Sequence, residues 1–120
     1  KMGGSKMFIE VDKKVTLSDL LLGIVVQSGN DASIAVAEGI SGTEETFAIE
    51  MNNLGKKIGL TGTNFVNSSG WPNDDHYTTA KDLALVAKYT IENHPELYQM
   101  YSLTEFTYNG IKQDNRNPLL

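Results

Sequence analysis

Thr16-Leu17-Ser18-Asp19-Leu20-Leu21-Leu22-Gly23-Ile24-Val25-Val26-Gln27-Ser28-Gly29-Asn30-Asp31-Ala32 is the stretch whose reading decides the fold. Leu17, Leu20, Leu21, Ile24 and Val25 recur at helical spacing, and the Thr16 hydroxyl is placed to accept the orphan amide of Asp19, so a helix starts after Thr16 and buries one stripe. Ser, Gly and Asn each favour a break or a cap over a helix interior, so Gln27-Ser28-Gly29-Asn30 ends it. A second helix follows from about Asp31. Its stripe of Ala32, Ala35, Val36, Gly39 and Ile40 is small enough for close helix approach, and Ser41-Gly42 closes it.

Outward from this pair the pattern stays mainly helical. Thr43, with Glu44 and Glu45 in the first turn, opens a third helix that is expected to bury Phe47, Met51, Leu54 and Ile58. Gly59 closes it, with Leu60 folding back onto the last turn. Residues 61–78 show no sustained period and carry Gly62, Gly70, Pro72 and Asn73-Asp74-Asp75-His76, which predicts a long irregular loop of the kind that often carries function. Thr79 with Asp82 repeats the capping signature before Leu83, Val86, Ala87 and Ile91, and that helix stops before His94-Pro95. Pro95 opens a last helical turn through Tyr101. Met7-Phe8-Ile9-Glu10-Val11 reads as a short N-terminal strand. Leu103 to Tyr108 alternates, and Asn109-Gly110 signals a two-residue hairpin returning through Ile111-Lys112-Gln113. The expected class is mainly α: about four helices, a short strand and a small hairpin in a single, partial domain over 1–120.

Composition narrows the function. With 120 residues, 40% of them apolar, the chain can bury one modest core. Ten scattered basic residues against fifteen acidic ones, a net charge of -5, disfavour nucleic acid, which needs a clustered cationic face. The absence of cysteine excludes a disulfide framework, a thiolate metal site and a thiol nucleophile. The apolar run Leu20–Val26 is too short to span a bilayer. Lys1-Met2-Gly3-Gly4-Ser5 lacks the apolar region that export requires, so any export signal is expected outside this segment. No G-x-S-x-G elbow, H-E-x-x-H pair, phosphate-cradling loop or calcium loop occurs. His76 and His94 lack metal-ligand spacing and read as loop or cap residues.

What remains is Ser28-Gly29-Asn30 between two apolar helices. An S-x-N triplet arises by chance in roughly a third of chains this long, so its position and context must carry the argument. At a helix junction both polar side chains can project into a cleft; equally, they can cap the helix begun by Asp31.

The context resembles the low-molecular-mass penicillin-binding DD-carboxypeptidases of the peptidase S11 type. Val25-Val26-Gln27-Ser28-Gly29-Asn30-Asp31-Ala32 is similar to their second motif. Gly59-Leu60-Thr61-Gly62-Thr63-Asn64-Phe65, Ser69-Gly70-Trp71-Pro72, Glu105-Phe106-Thr107-Tyr108-Asn109-Gly110-Ile111-Lys112-Gln113 and Asn115-Arg116-Asn117 follow in the family's order. Such enzymes use S-x-x-K, S-x-N and K-T-G, of which this sequence holds only the second. The resemblance implies a nucleophilic serine before Lys1 and a K-T-G strand beyond Leu120, so that the chain is an internal piece, inactive alone, of the helical subdomain of the β-lactamase/DD-peptidase fold.

It further implies that Ser28 and Asn30 are catalytic, the hydroxyl relaying a proton and the carboxamide holding the lysine and substrate. Gly29, Ser69 and Arg116 are implied on the substrate-binding side. Arg116 can fork onto a terminal carboxylate or serve a structural ion pair, Ser69 can line the cleft or simply form a turn with Gly70, and Trp71 can anchor the loop or wall the cleft. The implied partners are the D-Ala-D-Ala stem peptide of peptidoglycan and β-lactam antibiotics, with no metal or organic cofactor. The place implied is outside the cytoplasmic membrane, tethered by a C-terminal anchor not in this segment. A serine β-lactamase is the alternative enzyme, against which Gly29 counts, since those commonly carry S-D-N. A non-catalytic helical module that self-associates through exposed apolar surface is the alternative from another class.

Overall fold

The computed structural model describes residues 4–120, which fall into two compact units, one of residues 4–36 with 99–120 and one of 37–98. Along the chain come α1 (Leu17–Gln27), α2 (Asn30–Ser41), α3 (Glu44–Ile58), α4 (Ala80–Asn93) and α5 (Pro95–Tyr98). A 3-10 turn (Gln99–Ser102) and the strands β1 (Glu105–Tyr108) and β2 (Ile111–Asp114) follow.

In the first unit, α1 begins as its cap predicts: Thr16 Oγ1 accepts the Asp19 amide at 3.1 Å. Met7, Leu20 and Ala32 form the buried centre, with Ile9, Val15, Ile24, Ala35, Val36, Phe106 and Tyr108 packed around it. Strands β1 and β2 pair antiparallel, Glu105 with Asp114 and Tyr108 with Ile111. Their turn places Asn109 at φ 51° and Gly110 at φ 74°, the double left-handed conformation that suits an Asn-Gly hairpin. Across the pair Glu105 meets Lys112 at 3.1 Å and raises the lysine's pKa.

Met7–Val11 is not a strand. Phe8 and Asp12 sit at φ 65° and 61°, left-handed values that break a pleat, and the amides of Met7 and Ile9 go to the Asp31 carboxylate instead of a neighbouring strand.

In the second unit, Thr43 Oγ1 caps α3 through the Thr46 amide at 3.1 Å, and Thr79 Oγ1 caps α4 through Asp82 at 3.0 Å. At the end of α3, Gly59 adopts φ 93°, its amide bonded to the Lys56 carbonyl while the Leu60 amide reaches Gly55, so Leu60 folds back and is buried. The stripes of α3 and α4 are less covered than their periodicity predicts. Leu54, Leu83 and Ile91 are exposed, since periodicity marks the apolar face of a helix and not what covers it. Met51, Leu54, Ile58, Val86 and Tyr89 instead line a cavity of about 310 Å³.

Residues 61–78 are irregular yet tied down by side chains. Asn52 closes both backbone groups of Phe65, accepting its amide and donating to its carbonyl, each at 2.8 Å. Glu44 Oε2 accepts from the Ser68 amide and hydroxyl, and Asn64 bridges to Tyr77. Asp82, buried, takes the Gly62 amide at 2.8 Å and the Thr63 hydroxyl at 2.6 Å. His76 Nδ1 accepts the Val66 amide at 3.1 Å, and His94 caps α4 through Thr90. No helix among the described residues is long and apolar enough to cross a membrane.

Candidate active site

Helix α1 runs out at Gln27, and the next three residues make the transition to α2 with no spare chain. Ser28 is the C-cap of α1 in the left-handed conformation, φ 56° and ψ 41°, its amide bonded to the Ile24 carbonyl at 3.0 Å. A side chain in that conformation crowds its own carbonyl and costs on the order of 1 kcal/mol, which is why glycine usually takes such positions. Here the residue is an exposed serine whose hydroxyl makes no hydrogen bond among the described residues.

Gly29 is the squeezed member of the three. Its amide donates to the Gly23 carbonyl at 3.0 Å, and its own carbonyl accepts the Ser33 amide at 3.1 Å and the Ser33 hydroxyl at 3.3 Å. A Cβ on Gly29 would lie 3.1 Å from the Gly23 carbonyl and 3.3 Å from Asp31 Oδ1 and the Met7 nitrogen. One residue thus ends α1 and starts α2. Both its backbone groups are committed within the fold, and its small size keeps Ser28 and Asn30 close.

Asn30 opens α2, its amide donating to the Ser5 carbonyl at 2.9 Å. The carboxamide is partly exposed and makes no hydrogen bond among the described residues. Neither Ser28 Oγ nor the Asn30 side chain caps the first turn of α2; the Gly29 carbonyl and the Asp31 carboxylate, which takes the Ala32 amide at 2.9 Å, serve that end.

Arg116 is brought to the same place. Its amide donates to the Val26 carbonyl at 3.0 Å, two residues before Ser28. Its exposed guanidinium forms no ion pair among the described residues, so the structural-pair role is not seen there. Ser69 lies in the second unit, where its hydroxyl accepts the Trp71 amide at 3.2 Å, a turn-forming bond; Trp71 is half-exposed and its carbonyl accepts from Asn67.

The sequence pattern marks Asp31, Glu44 and Asp82 only as residues of helix starts and gives no role to Asn52; the structure shows Asp31 accepting three backbone amides and Asn52, Glu44 and Asp82 clamping the loop. Apart from Ala32, their partners lie 13 to 24 positions away, beyond the reach of any local signal.

The helix junction carrying S-x-N, in a mainly α architecture with one small hairpin, is that of the helical part of the DD-peptidase fold. The sequence profile of the D-alanyl-D-alanine carboxypeptidase family, peptidase S11, matches residues 1–120, and the chain belongs to that family. It is 43% identical over 116 residues to D-alanyl-D-alanine carboxypeptidase DacA of Haemophilus influenzae, covering 97% of this chain and 30% of the relative. Penicillin binding protein 5 of the same organism superposes with a TM-score of 0.94 at 42% identity, over 97% of this chain and 34% of that one. Penicillin-binding protein D2 of Listeria monocytogenes, solved in its ampicillin-bound form, gives 0.84 at 30% identity over 100% of this chain and 51% of that one. The chain therefore spans about 30% of the length of the curated relative it matches.

Proposed function

We propose that the protein to which this chain belongs removes the terminal D-alanine from peptidoglycan stem peptides through a serine acyl-enzyme, and that Ser28 and Asn30 belong to its catalytic centre. The observation that carries this reading is Ser28 itself: a serine held left-handed and exposed, two residues from a carboxamide, neither side chain hydrogen-bonded among the described residues. A backbone cost of this kind is retained where the resulting side-chain placement is used.

The chemistry fits the residue types. A serine supplied by the rest of the protein attacks the carbonyl carbon of the penultimate D-alanine after a lysine takes its proton. The C–N bond then breaks, and the departing amine must receive a proton. Ser28, which donates and accepts at once, relays that proton. Asn30 offers an amide donor and a carbonyl acceptor, which hold the lysine and the substrate backbone together. Water then hydrolyses the ester. Arg116, anchored beside Val26, forks onto the free carboxylate of the substrate. Gly29 keeps the pair compact, and Ser69 acts as a turn residue.

The same serine is acylated by β-lactams in this reading, supported by the ampicillin-bound relative from Listeria monocytogenes. No cofactor takes part. The protein works outside the cytoplasmic membrane, held there by a segment outside this chain. The isolated chain lacks both nucleophile and lysine and is expected to be inactive and to self-associate through the apolar side chains exposed on α3 and α4.

The test is Asn30→Ala in the full-length protein, scored by its acylation with a labelled penicillin. Loss of one transition-state donor is expected to slow acylation about a hundredfold. An unchanged rate removes Asn30 from the site.

A further inference from the structure

We propose that Asp31 is a positioning residue for Asn30: its carboxylate straps the Ser5–Ile9 segment across the helix junction, and that strap fixes where Asn30 sits. The inference rests on the function proposed above.

The segment is held from two sides by directed bonds. Asp31 Oδ1 accepts the Met7 amide at 2.8 Å, and Oδ2 accepts the Ile9 amide at 2.9 Å. On the other side Gln113 Nε2 donates to the Lys6 carbonyl at 2.9 Å. Between these clamps the Ser5 carbonyl takes the Asn30 amide, also at 2.9 Å. The Met7 side chain is fully buried, its thioether filling the space a Gly23 side chain would need.

Charge explains why the clamp is specific. Amides facing water need no partner from the protein, whereas here two amides of an irregular segment converge on the two oxygens of one partly buried carboxylate. Bonds to an ionised acceptor are roughly twice as strong as neutral ones and more directional. A carboxamide at position 31 has only one accepting atom, so one amide would face an NH₂ group and the strap would shift. The Asn30 backbone is bonded to that strap and would move with it. Misplacement of a reacting group by about 1 Å costs on the order of a hundredfold, and smaller shifts proportionately less.

The experiment uses full-length protein carrying Asp31→Asn, Asn30→Ala or both, with the rate of acylation by a fluorescent penicillin and the thermal midpoint measured for each. Asp31→Asn alone is expected to slow acylation on the order of tenfold, and the double variant is expected to match Asn30→Ala alone, because Asp31 acts only through Asn30. Asp31→Asn lowers the midpoint in either case, because an amide loses its acceptor; a merely structural role is marked instead by losses of rate that multiply in the double variant, which overturns the proposal. If Asp31→Asn does not fold, Gln113→Ala loosens the other side of the same strap. It is expected to give a smaller loss that again vanishes beside Asn30→Ala, and no loss or a multiplying loss overturns the proposal. A normal rate for Asp31→Asn with a slow Asn30→Ala defeats this inference alone. A normal rate for Asn30→Ala defeats the catalytic reading and this one with it.

Discussion

The main-chain amide of Arg116 donates to the Val26 carbonyl at 3.0 Å, so a residue near the end of the chain is pinned to the last turn of α1, beside Ser28. The bond uses only backbone, and the guanidinium forms no ion pair among the described residues. Arg116→Ala is therefore expected to leave the thermal midpoint nearly unchanged, within about 0.5 kcal/mol of stability. It should reduce discrimination between free-acid and amidated peptide substrates of the full-length protein about tenfold or more, the weight of a charged hydrogen bond. Retained discrimination removes Arg116 from substrate binding.

Ser28 separates stability from activity. Glycine relieves the left-handed strain at φ 56°, while its greater freedom in the unfolded chain offsets part of the gain. Ser28→Gly is expected to raise stability by about 0.5 kcal/mol in chemical unfolding, the strain relieved less the entropy lost, while slowing acylation by penicillin. Ser28→Ala should slow acylation equally without the gain in stability.

Gly29 is constrained by contact and not by its φ. A methyl group there meets the Gly23 carbonyl at 3.1 Å and the Met7 nitrogen at 3.3 Å, both of them backbone atoms that cannot swing aside. Gly29→Ala is expected to destabilise the protein by about 1–3 kcal/mol, as overpacking does. A thermal midpoint equal to wild type would show that the junction has slack.

Asp82 makes the loop of residues 61–78 sensitive to acid. The Thr63 hydroxyl holds its carboxyl below the usual carboxylate range; burial opposes this, and the Gly62 amide adds to the lowering. Because the folded pKa lies below the unfolded one, the contribution is fully present above the unfolded value, about 4, and is lost as pH falls through the folded value. Asp82→Asn is expected to lower the thermal midpoint at neutral pH, with the gap to wild type closing below about pH 4. A gap that stays constant down to acid pH would contradict the assignment.

Local chemistry was legible where it acts over three or four residues. Thr16 with Asp19, Thr79 with Asp82, Gly59 with Leu60 and the Asn109-Gly110 turn all behave as their residue types dictate. The S-x-N triplet stood out by its place between two apolar stripes, and the family's spaced motifs gave it meaning. Illegible were the features set by distant partners. Asp31 captures Met7 and Ile9 and so removes a strand that alternation alone suggests. Asn52 and Glu44 reach across 13 and 24 positions to fasten the loop. The left-handed Ser28 has no local signal either, since that conformation usually selects glycine or asparagine. Periodicity also overstated burial on α3 and α4, because it marks which face is apolar and not whether anything covers it.

The bond from Gln113 to the Lys6 carbonyl joins residues 107 positions apart, and the whole of the 37–98 unit lies in sequence between them. The intervening unit closes within itself, whereas the flanking unit closes only by joining chain segments across the whole of that insertion. Its loop closure carries the larger entropy cost, and Met7, Leu20 and Ala32 gain Phe106 and Tyr108 as neighbours only when that cost is met.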